Sequence, residues 1–548
     1  MKEVEFNLLE EPWIRVLCPD CTIQEVSLTQ ALLHAQDYTD LAGELPAQDV
    51  AVLRLLLAVM HAVFGRVDAE GRPVEITDIT SATRQWKELW QKGRLPENPI
   101  LEYLQKWRDR FWLFHPQHPF WQVPQAKIGT QYSAAKLNGE LSESGNKLRL
   151  FPAYAGKGKT KMSYAQAARW LLYVNGFDDT SAKPKEKGLP SPGAGWLGKL
   201  GLIQAVGKNL FETLLLNLTL LQDGERAWQE EKPCWELDMP RCGERTEISQ
   251  PDNPAELLTL QSRRLLLNRE DGEVTGYTLL GGDFFEKTNA FCEQMTTWRA
   301  IQEKKNAPIV FCPRKHDPAR QFWREFPTIF DENPSNGKPV HVPGIVRWIT
   351  LLQKRNMKYR CLNSETMVHF RIVAVGYGDK DFFVTDTFSD ELSFHLSLLD
   401  ELGKWWRIRI AEEIYRCEEV AGAIGILSKE LALAAGSRSE VPKTTREQYY
   451  FLMDQPFRRW LYSIDPEWDI EEAMENLQRW QNQAQRIACE LGQQIVAQAG
   501  TGAFIGRSVS DSGAKSKEKA SKTYYASPKA YNNFLTRLQK IYRKEGNV

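Results

Sequence analysis

The sequence predicts an α+β protein in which a large, irregular mixed α/β domain, residues 1–387, precedes an antiparallel four-helix bundle, residues 388–548. Two observations predict this class. First, 548 residues exceed one ordinary domain, and 42% hydrophobic with 11% aromatic residues supply enough apolar surface for a large core. Second, the apolar pattern changes after about Thr387 from short, switching periods to a sustained helical period.

The N-terminal part mixes short strands with amphipathic helices. Residues 6–16 and 23–28 alternate enough between apolar and polar to predict two strands, joined by a turn at 18–21. Because the period then switches often, this part is irregular α+β rather than a parallel α/β repeat. Further strands are predicted at 257–260, 264–267, 308–311 and 370–375, and helices at 29–36, 48–64, 83–91, 100–111, 164–174 and 202–221.

Four long helical patterns follow. The first covers 392–435 almost without a break, and the second covers 446–463. The third is predicted to begin at Asp465 and the fourth at Ser527, each followed by a proline suited to a first helical turn. Helices of this kind, joined by loops, bury their apolar faces against one another as an antiparallel bundle.

Charge and cysteine content narrow the functional class. With 70 basic and 71 acidic residues, the chain has no overall positive field, so any binding of nucleic acid requires local patches. Nine cysteines without a disulfide framework suit a reducing compartment and predict a cytoplasmic protein. The apolar stretch 50–64 contains Arg54 and His61 and is shorter than the ~20 residues of a membrane span, so we expect a buried helix and no membrane partner.

The sequence lacks the common catalytic motifs. It contains no phosphate-binding Walker loop, dinucleotide fingerprint, zinc-protease motif or nucleophile elbow. His115 and His118 have the spacing of metal ligands, but no nearby cluster of Cys, His or Asp completes a site, and a role in a turn suits them better. We therefore predict that the protein is not an enzyme and has no catalytic residue, metal or cofactor.

Residues 189–201 form the most distinctive stretch, with four glycines, two prolines and a lysine between two helical patterns. Glycine lets a backbone approach a ligand closely, and a helix starting at Leu202 would direct its first N–H groups towards an anion. The same composition suits a plain connecting loop. Composition alone leaves both interpretations open.

Several short motifs occur in order along the chain. They are FNLLEEPWIRV at 6–16, HPQHPF at 115–120, AARWLL at 167–172, GAGW at 193–196 and NAF at 289–291. Together with the C-terminal helices, this succession resembles the CasA family, the large subunits of the type I-E CRISPR surveillance complex, Cascade. The likeness covers nearly the whole chain.

The resemblance implies both an architecture and a function. CasA proteins combine a large mixed α/β domain with a C-terminal four-helix bundle, and they are not themselves nucleases. They join CRISPR RNA and the other Cascade subunits, recognise the protospacer-adjacent motif in double-stranded DNA, help to open the duplex and support recruitment of a helicase–nuclease. The same partners and role are expected here.

The resemblance also implies candidate DNA-binding residues. In the family a glycine-rich loop reads the motif from the minor groove, where main-chain atoms reach base edges without a side-chain clash. Gly193, Ala194 and Gly195 match that loop. Lys287, just before the NAF motif, matches a lysine that reaches into the groove.

A hairpin wedge that splits the first base pairs, often with a glutamine, is a further family feature. Residues 376–382 resemble this hairpin, and Asp379, Lys380 and Asp381 occupy its tip in place of glutamine. Two carboxylates there would repel phosphates, whereas Lys380 would attract one. An ordinary β-turn with a polar tip is the alternative interpretation.

Residues 127–161 are predicted to form a long loop. In the family the corresponding loop docks against the RNA-bearing end of the complex. Phe151 lies near the family's apolar anchor, and Lys157, Lys159 and Lys161 lie close by in sequence. An exposed aromatic side chain flanked by lysines suits stacking combined with phosphate contacts.

Two other functions compete with motif reading. The altered hairpin tip is compatible with a mainly structural subunit that has lost motif reading. A metal-dependent nuclease is the remaining alternative, although the paired acidic residues, such as Glu412-Glu413 and Glu471-Glu472, lie on amphipathic helices whose polar faces suit solvent better than metal ions.

Overall fold

The structure is a computed structural model, and it divides into two compact units. Among the described residues, the first unit comprises 3–320, 328–330 and 339–391, and the second comprises 321–327 and those from 392 onward. The residues described are 3–138, 156–180, 193–239, 241–242, 246–330, 339–354, 361–362, 366–381, 383–437, 443–510 and 522–543.

Helices occur throughout the first unit and dominate the second. In chain order they are α1 (Leu28–Leu33), α2 (Pro46–Phe64), α3 (Ile79–Gln91), α4 (Glu97–Lys106), α5 (Ala134–Leu137), α6 (Tyr164–Phe177), α7 (Leu210–Asn217), α8 (Pro254–Leu258), α9 (Gly344–Gln353), α10 (Lys404–Ala435), α11 (Lys443–Ser463), α12 (Ile470–Gln498), α13 (Gly500–Ile505) and α14 (Ser527–Tyr542).

The strands are mostly short and lie largely in the first unit. They are β1 (Glu5–Asn7), β2 (Ile14–Leu17), β3 (Ile23–Val26), β4 (Asp40–Leu41), β5 (Trp112–Phe114), β6 (Thr130–Ser133), β7 (Leu202–Val206), β8 (Leu221–Gln222), β9 (Arg226–Ala227), β10 (Thr246–Glu247), β11 (Arg263–Glu270), β12 (Glu273–Gly281), β13 (Asp283–Phe284), β14 (Trp298–Ile301), β15 (Val310–Pro313), β16 (Met367–Tyr377), β17 (Val384–His395), β18 (Arg507–Ser510) and β19 (Lys522–Tyr525).

These strands form several small sheets instead of one large sheet. Within the described ranges, three-stranded sheets have the orders β3-β2-β4, β11-β12-β6 and β17-β16-β7, and two-stranded pairs include β1-β5 and β14-β15. The predicted hairpin near the N-terminus is present, with Ile14 opposite Val26, but the predicted strand 6–16 is interrupted, because β1 ends at Asn7 and pairs with β5 and β2 begins only at Ile14. Several small sheets with interspersed helices, followed by a helical region, confirm the predicted α+β class.

Helix α2 is the core of the first unit. It is long and apolar enough to cross a membrane by composition alone, yet 94% of its apolar window is buried inside the structure, as predicted for 50–64. Its one arginine, Arg54, is also buried and forms a bidentate ion pair with Glu293, at 2.9 and 3.0 Å. Because a buried charge is costly unless it is paired, this contact fixes where the Glu293 segment lies against the helix.

Three predictions in the first unit are wrong. The predicted long loop 127–161 contains strand β6, which pairs antiparallel with β12, and helix α5, because the edge of the β11-β12 sheet takes up residues 130–133. The stretch 202–221 is not one helix, because Leu202–Val206 is strand β7 and pairs antiparallel with β16, from Leu202 opposite Val373 to Val206 opposite His369. The helix starts only at Leu210, after Asn209 caps it by accepting from the Glu212 N–H. The stretch 257–260 is not a strand, since helix α8 runs into it as far as Leu258 and a turn follows at Thr259.

The second unit contains the four predicted long helices, α10, α11, α12 and α14, which contact one another. Two of their predicted starts are wrong. The first helix begins at Lys404, because 392–395 belong to strand β17. The third begins at Ile470, where Asp469 rather than Asp465 is the cap and Glu472 completes a capping box.

A segment that precedes the bundle in sequence belongs to its core. Trp323 is fully buried, stacks on Phe457 with ring centroids 4.2 Å apart, and donates from Nε1 to Asp454 at 3.0 Å. Arg324 next to it pairs with Glu418 at 2.7 Å. The predicted division at 387/388 did not assign this segment to the bundle, and that division stays a prediction.

The burial of Trp323 gives a stability prediction. Trp323→Ala removes a stacked indole and leaves the Asp454 contact unmade, so we expect the free energy of unfolding of the second unit to fall by about 3–5 kcal/mol. Calorimetry of the transition of that unit measures the loss. Tyr462→Ala is the control, because Tyr462 is 56% exposed and should change the free energy by no more than about 0.5 kcal/mol. Equal effects of the two variants would contradict the assignment of Trp323 to this core.

Candidate nucleic-acid interface

Helix α6 and the residues after it organise the candidate site. The helix begins with a capping box, in which the Ser163 side chain accepts from the Gln166 N–H and the Gln166 side chain accepts from the Ser163 N–H. It is buried along most of its length and ends at Phe177. We call residues Phe177–Thr180 the α6 tail. The contacts of Arg263, of the loop Gly193–Gly195 and of the turn at 379–381 all involve this tail or the loop attached to it.

Arg263, the first residue of β11, holds the tail and the glycine loop together. It is 1% exposed, and its Nε lies 2.5 Å from the Asp178 carboxylate. Its Nη2 donates to the carbonyl oxygens of Asp179 and, at 2.6 Å, Gly193. A guanidinium has five donors in a fixed plane, so one side chain can satisfy this carboxylate and several carbonyl groups at once.

The glycine loop, residues Gly193–Gly195, is largely fixed by its own backbone contacts. Gly195 donates from its N–H to the Asp178 carbonyl at 2.9 Å, and a Cβ on Gly195 would lie 2.3 Å from the Gly176 carbonyl oxygen. Glycine is therefore required there by close approach to α6. Gly193 is required for a different reason, because its φ is +70°.

Ligand access differs along this loop. Ala194 and Gly195 are buried, whereas Gly193 is half-buried. Among the described residues, no acceptor bonds to the N–H groups of Gly193 and Ala194.

The expected helix start beyond the loop is wrong. A short 3-10 turn, Leu197–Lys199, leads into strand β7, so no helix presents its N–H groups there.

Trp196 connects the glycine loop to the segment that carries Lys287. Its Nε1 donates to Glu293 at 2.9 Å, the carboxylate already held by Arg54. Its ring lies against the Phe285 ring with centroids 4.2 Å apart. Two residues further on, Lys287 is exposed and makes no ion pair with the part of the chain that the structure describes. Lys287 therefore offers its charge to solvent beside a well-anchored loop.

The predicted hairpin is the turn between β16 and β17, and it also contacts the α6 tail. Lys380 and Asp381 both adopt φ of +57°. Thr180 donates from its Oγ1 to the Lys380 carbonyl and from its N–H to the Asp381 carbonyl, each at 2.9 Å. At the base of the turn, Tyr377 donates from its hydroxyl to the Phe177 carbonyl at 2.6 Å. Burial raises the pKa of Tyr377 well above its usual value, so this hydroxyl remains a donor.

One of the two carboxylates at the tip of the turn is already compensated. Lys315 lies 3.2 Å from the Asp381 carboxylate and also sits over the Tyr377 ring, 4.9 Å from its centroid. The exposed side chains of Asp379 and Lys380 remain at the tip, so repulsion of phosphate by two unpaired carboxylates does not apply.

The two histidines have a structural role in a turn. Nδ1 of His115 accepts from the N–H groups of Gln117 and His118, at 3.1 and 2.9 Å, which confirms the turn-capping interpretation. Across the described residues, no group of three or more His, Cys, Asp or Glu side chains is placed to hold a metal ion.

Comparison with known proteins identifies the family. The family model described as CRISPR-associated protein Cse1 matches residues 7–491, most of the chain. The chain belongs to the Cse1 family. The predicted resemblance to CasA, the large subunit of type I-E Cascade, is thereby confirmed.

Individual Cse1 relatives agree with this assignment. The chain is 35% identical over 240 residues to the CasA/Cse1 protein of Thermus thermophilus, a match that spans 44% of each chain. The crystal structure of Thermobifida fusca Cse1 superposes with a TM-score of 0.80 at 28% identity, covering 98% of both chains. A chain of a CRISPR RNA-guided surveillance complex shares the fold, with a TM-score of 0.64 at 15% identity over 98% of this chain and 99% of that one.

The structure thus joins some of the predicted site residues and leaves others apart. The glycine loop and the turn at 379–381 meet on the α6 tail, and Trp196 links the loop to the Lys287 segment. Phe151 lies outside the described residues. Lys157 and Lys159 lie in a 3-10 turn, Gly156–Lys159, and Lys161 lies 3.8 Å from Glu273. Among the described side chains, neither Lys159 nor Lys161 contacts the glycine loop or the turn at 379–381.

Sequence reasoning missed Arg263, Thr180 and Lys315. The sequence signal for Arg263 was an arginine pair opening an apolar strand, Arg263-Arg264-Leu265, where a buried charge needs a partner. Thr180 and Lys315 lie in polar stretches without periodicity. Nothing local indicates that they contact a turn far along the chain.

The Arg263 contacts predict a large coupling energy. Arg263→Ala removes the buried cation that pairs with the Asp178 carboxylate, and we expect the free energy of unfolding of the first unit to fall by about 3–5 kcal/mol. Urea titration monitors the loss, and exposed Arg299→Ala serves as the control. A double variant with Asp178→Ala should lose much less than the sum of the single losses. Additive losses would show that the pair does not hold the tail.

Proposed function

We propose that this chain is the motif-reading large subunit of an RNA-guided surveillance complex. In this proposal it recognises a protospacer-adjacent motif in double-stranded DNA, helps to open the duplex beside it, and supports recruitment of a helicase–nuclease. The observation that supports it most is the attachment of the glycine loop and the turn at 379–381 to one four-residue tail. Reading a motif and opening the adjacent base pairs require two elements at a fixed spacing.

The chemistry of the loop suits the minor groove. That groove presents mainly acceptors, N3 of adenine and O2 of thymine, with the N2 amine of guanine as its distinguishing donor. The N–H groups of Gly193 and Ala194 are unbonded donors among the described residues, and Gly193 has no side chain to keep a base edge away. Lys287 adds a solvent-exposed positive charge that can also donate to acceptors.

The turn suits a wedge whose charge is balanced. Lys380 attracts a phosphate, Asp379 repels one, and Asp381 is neutralised by Lys315. The wedge therefore acts by occupying the space of a base pair and not by strong attraction. Together with a chain charge of −1, this predicts weak and salt-dependent DNA binding by the isolated protein.

The proposed partners follow from family membership. CRISPR RNA and the other Cascade subunits would bind this chain in the cytoplasm, with residues 127–161, including Phe151, Lys157, Lys159 and Lys161, as a docking segment that also contains strand β6 and helix α5. Similarity to a chain of a CRISPR RNA-guided surveillance complex supports this assembly. We propose no catalytic role, since the Cse1 family is a Cascade subunit family.

A structural scaffold is the second candidate function. It is favoured by the burial of Ala194 and Gly195 and by the engagement of the Gly195 N–H and the Gly193 carbonyl inside the protein. In that case the loop would be a structural connection between α6 and β7.

A gel shift with the assembled complex tests motif reading. The RNA-loaded remaining subunits are titrated with target duplexes that differ in the bases beside the target, at fixed salt, with and without this chain. We expect the chain to tighten binding for only some flanking sequences. Equal tightening for every flank would contradict motif reading and support the scaffold. Metal-dependent cleavage by the isolated chain would revive the nuclease alternative.

Two variants locate the reading surface. Gly193→Ala should relax the flank preference, because a Cβ there would meet a base edge; inside the protein that Cβ lies 3.8 Å from its nearest neighbour, and the φ of +70° adds a strain of about 1–2 kcal/mol, which urea unfolding of the isolated variant measures separately. Gly195→Ala is uninformative, since its Cβ meets Gly176. Lys287→Ala should weaken binding several-fold and reduce the slope of log affinity against log salt by about 1. Lys106→Ala, an exposed lysine on α4, is the matched control.

A further inference from the structure

The α6 tail is the shared support of the two elements that the proposed function requires. Its Phe177 carbonyl accepts from Tyr377 and its Asp178 carbonyl accepts from Gly195. Its last residue, Thr180, donates to two consecutive carbonyl groups of the turn. Within this four-residue tail, Asp178 therefore contacts the motif loop, and Phe177 and Thr180 contact the wedge turn.

The turn itself has a backbone conformation that needs outside support. Lys380 and Asp381 both have φ of +57°, in the left-handed region that residues with a Cβ rarely adopt. Such a conformation persists when the surroundings fix it. The two carbonyl groups that Thr180 binds belong to these same two residues, and Lys315 holds the Asp381 side chain.

We infer that Thr180 is a positioning residue for duplex opening, and that the α6 tail couples the motif loop to the wedge turn. The inference rests on the proposed function. Among the described residues, Thr180 bonds to the turn through the backbone carbonyls of Lys380 and Asp381, and these bonds do not depend on the side chains of those two residues. When DNA binds the loop, a turn held by Thr180 meets the adjacent base pair without having to search for its conformation.

Duplex opening should be separable from motif reading. Arg263 and the Asp178 carbonyl hold the loop, and neither contact includes the Thr180 hydroxyl. Removal of that hydroxyl should loosen the turn at Lys380, although the N–H of residue 180 still donates to the Asp381 carbonyl, while the loop keeps its conformation. Loss of Arg263, in contrast, should disturb both elements, because Asp178 and Gly193 depend on it together.

Thr180→Val in the assembled complex tests whether the Thr180 hydroxyl positions the wedge turn. Thr180→Ser is the matched control, because serine keeps the hydroxyl. The rate of opening is followed by fluorescence of 2-aminopurine placed in the first base pairs beside the motif. We expect Thr180→Val to open duplex about two- to tenfold more slowly, the effect of one net hydrogen bond, and Thr180→Ser to behave like the unaltered chain. A target whose first base pairs are mismatched is already open, so all three chains should bind it equally.

Two outcomes would overturn the inference. Thr180→Val could open the duplex at the unaltered rate, in which case the hydroxyl does not position the turn. It could instead weaken binding to the mismatched target or remove the flank preference, which would make Thr180 a general structural residue. If the complex with the unaltered chain shows no flank preference, that result counts against the proposed function. The comparison of Thr180→Val with Thr180→Ser still decides the role of Thr180.

Discussion

The buried guanidinium of Arg263 is the interaction on which the candidate site depends. Removing a charge from water is expensive, and the cost is offset only when its partners are well placed and its donors are satisfied. Arg263 meets this condition with the Asp178 carboxylate and the carbonyl groups of Asp179 and Gly193. The end of α6 and the start of the glycine loop thus cannot move independently, because separation would expose a buried ion pair.

The two glycines of the loop are required for different reasons. Gly195 allows close approach to the carbonyl of Gly176, which is a requirement of the fold, while Gly193 has a positive φ and remains half-buried. A binding loop carried by a rigid scaffold needs both kinds of position, one that fixes the backbone and one that meets the ligand. Gly193 is therefore the residue of this loop on which the proposed function depends most directly.

Electrostatics in this protein are local. The net charge is −1, and the strong ion pairs near the site, Arg263 with Asp178 and Arg54 with Glu293, are buried and serve the fold. Lys315 compensates Asp381, and the exposed charges of the candidate surface include Lys287, Lys380 and Asp379. In the proposed function, the rest of the complex would supply general affinity for nucleic acid, and the contacts of this chain would contribute discrimination.

The sequence by itself determined the α+β class, the buried helix α2, the four long C-terminal helices and, through the order of its motifs, the Cse1 family. These follow from local periodicity and from motifs that are contiguous in the chain. Tertiary structure decided that 202–206 form a strand, since pairing with β16 outweighs local helical preference, and that Trp323 joins the second unit. It also decided the roles of Arg263, Thr180 and Lys315, whose partners are distant in sequence. Such contacts leave no local pattern, because their free energy comes from groups that only the folded chain brings together.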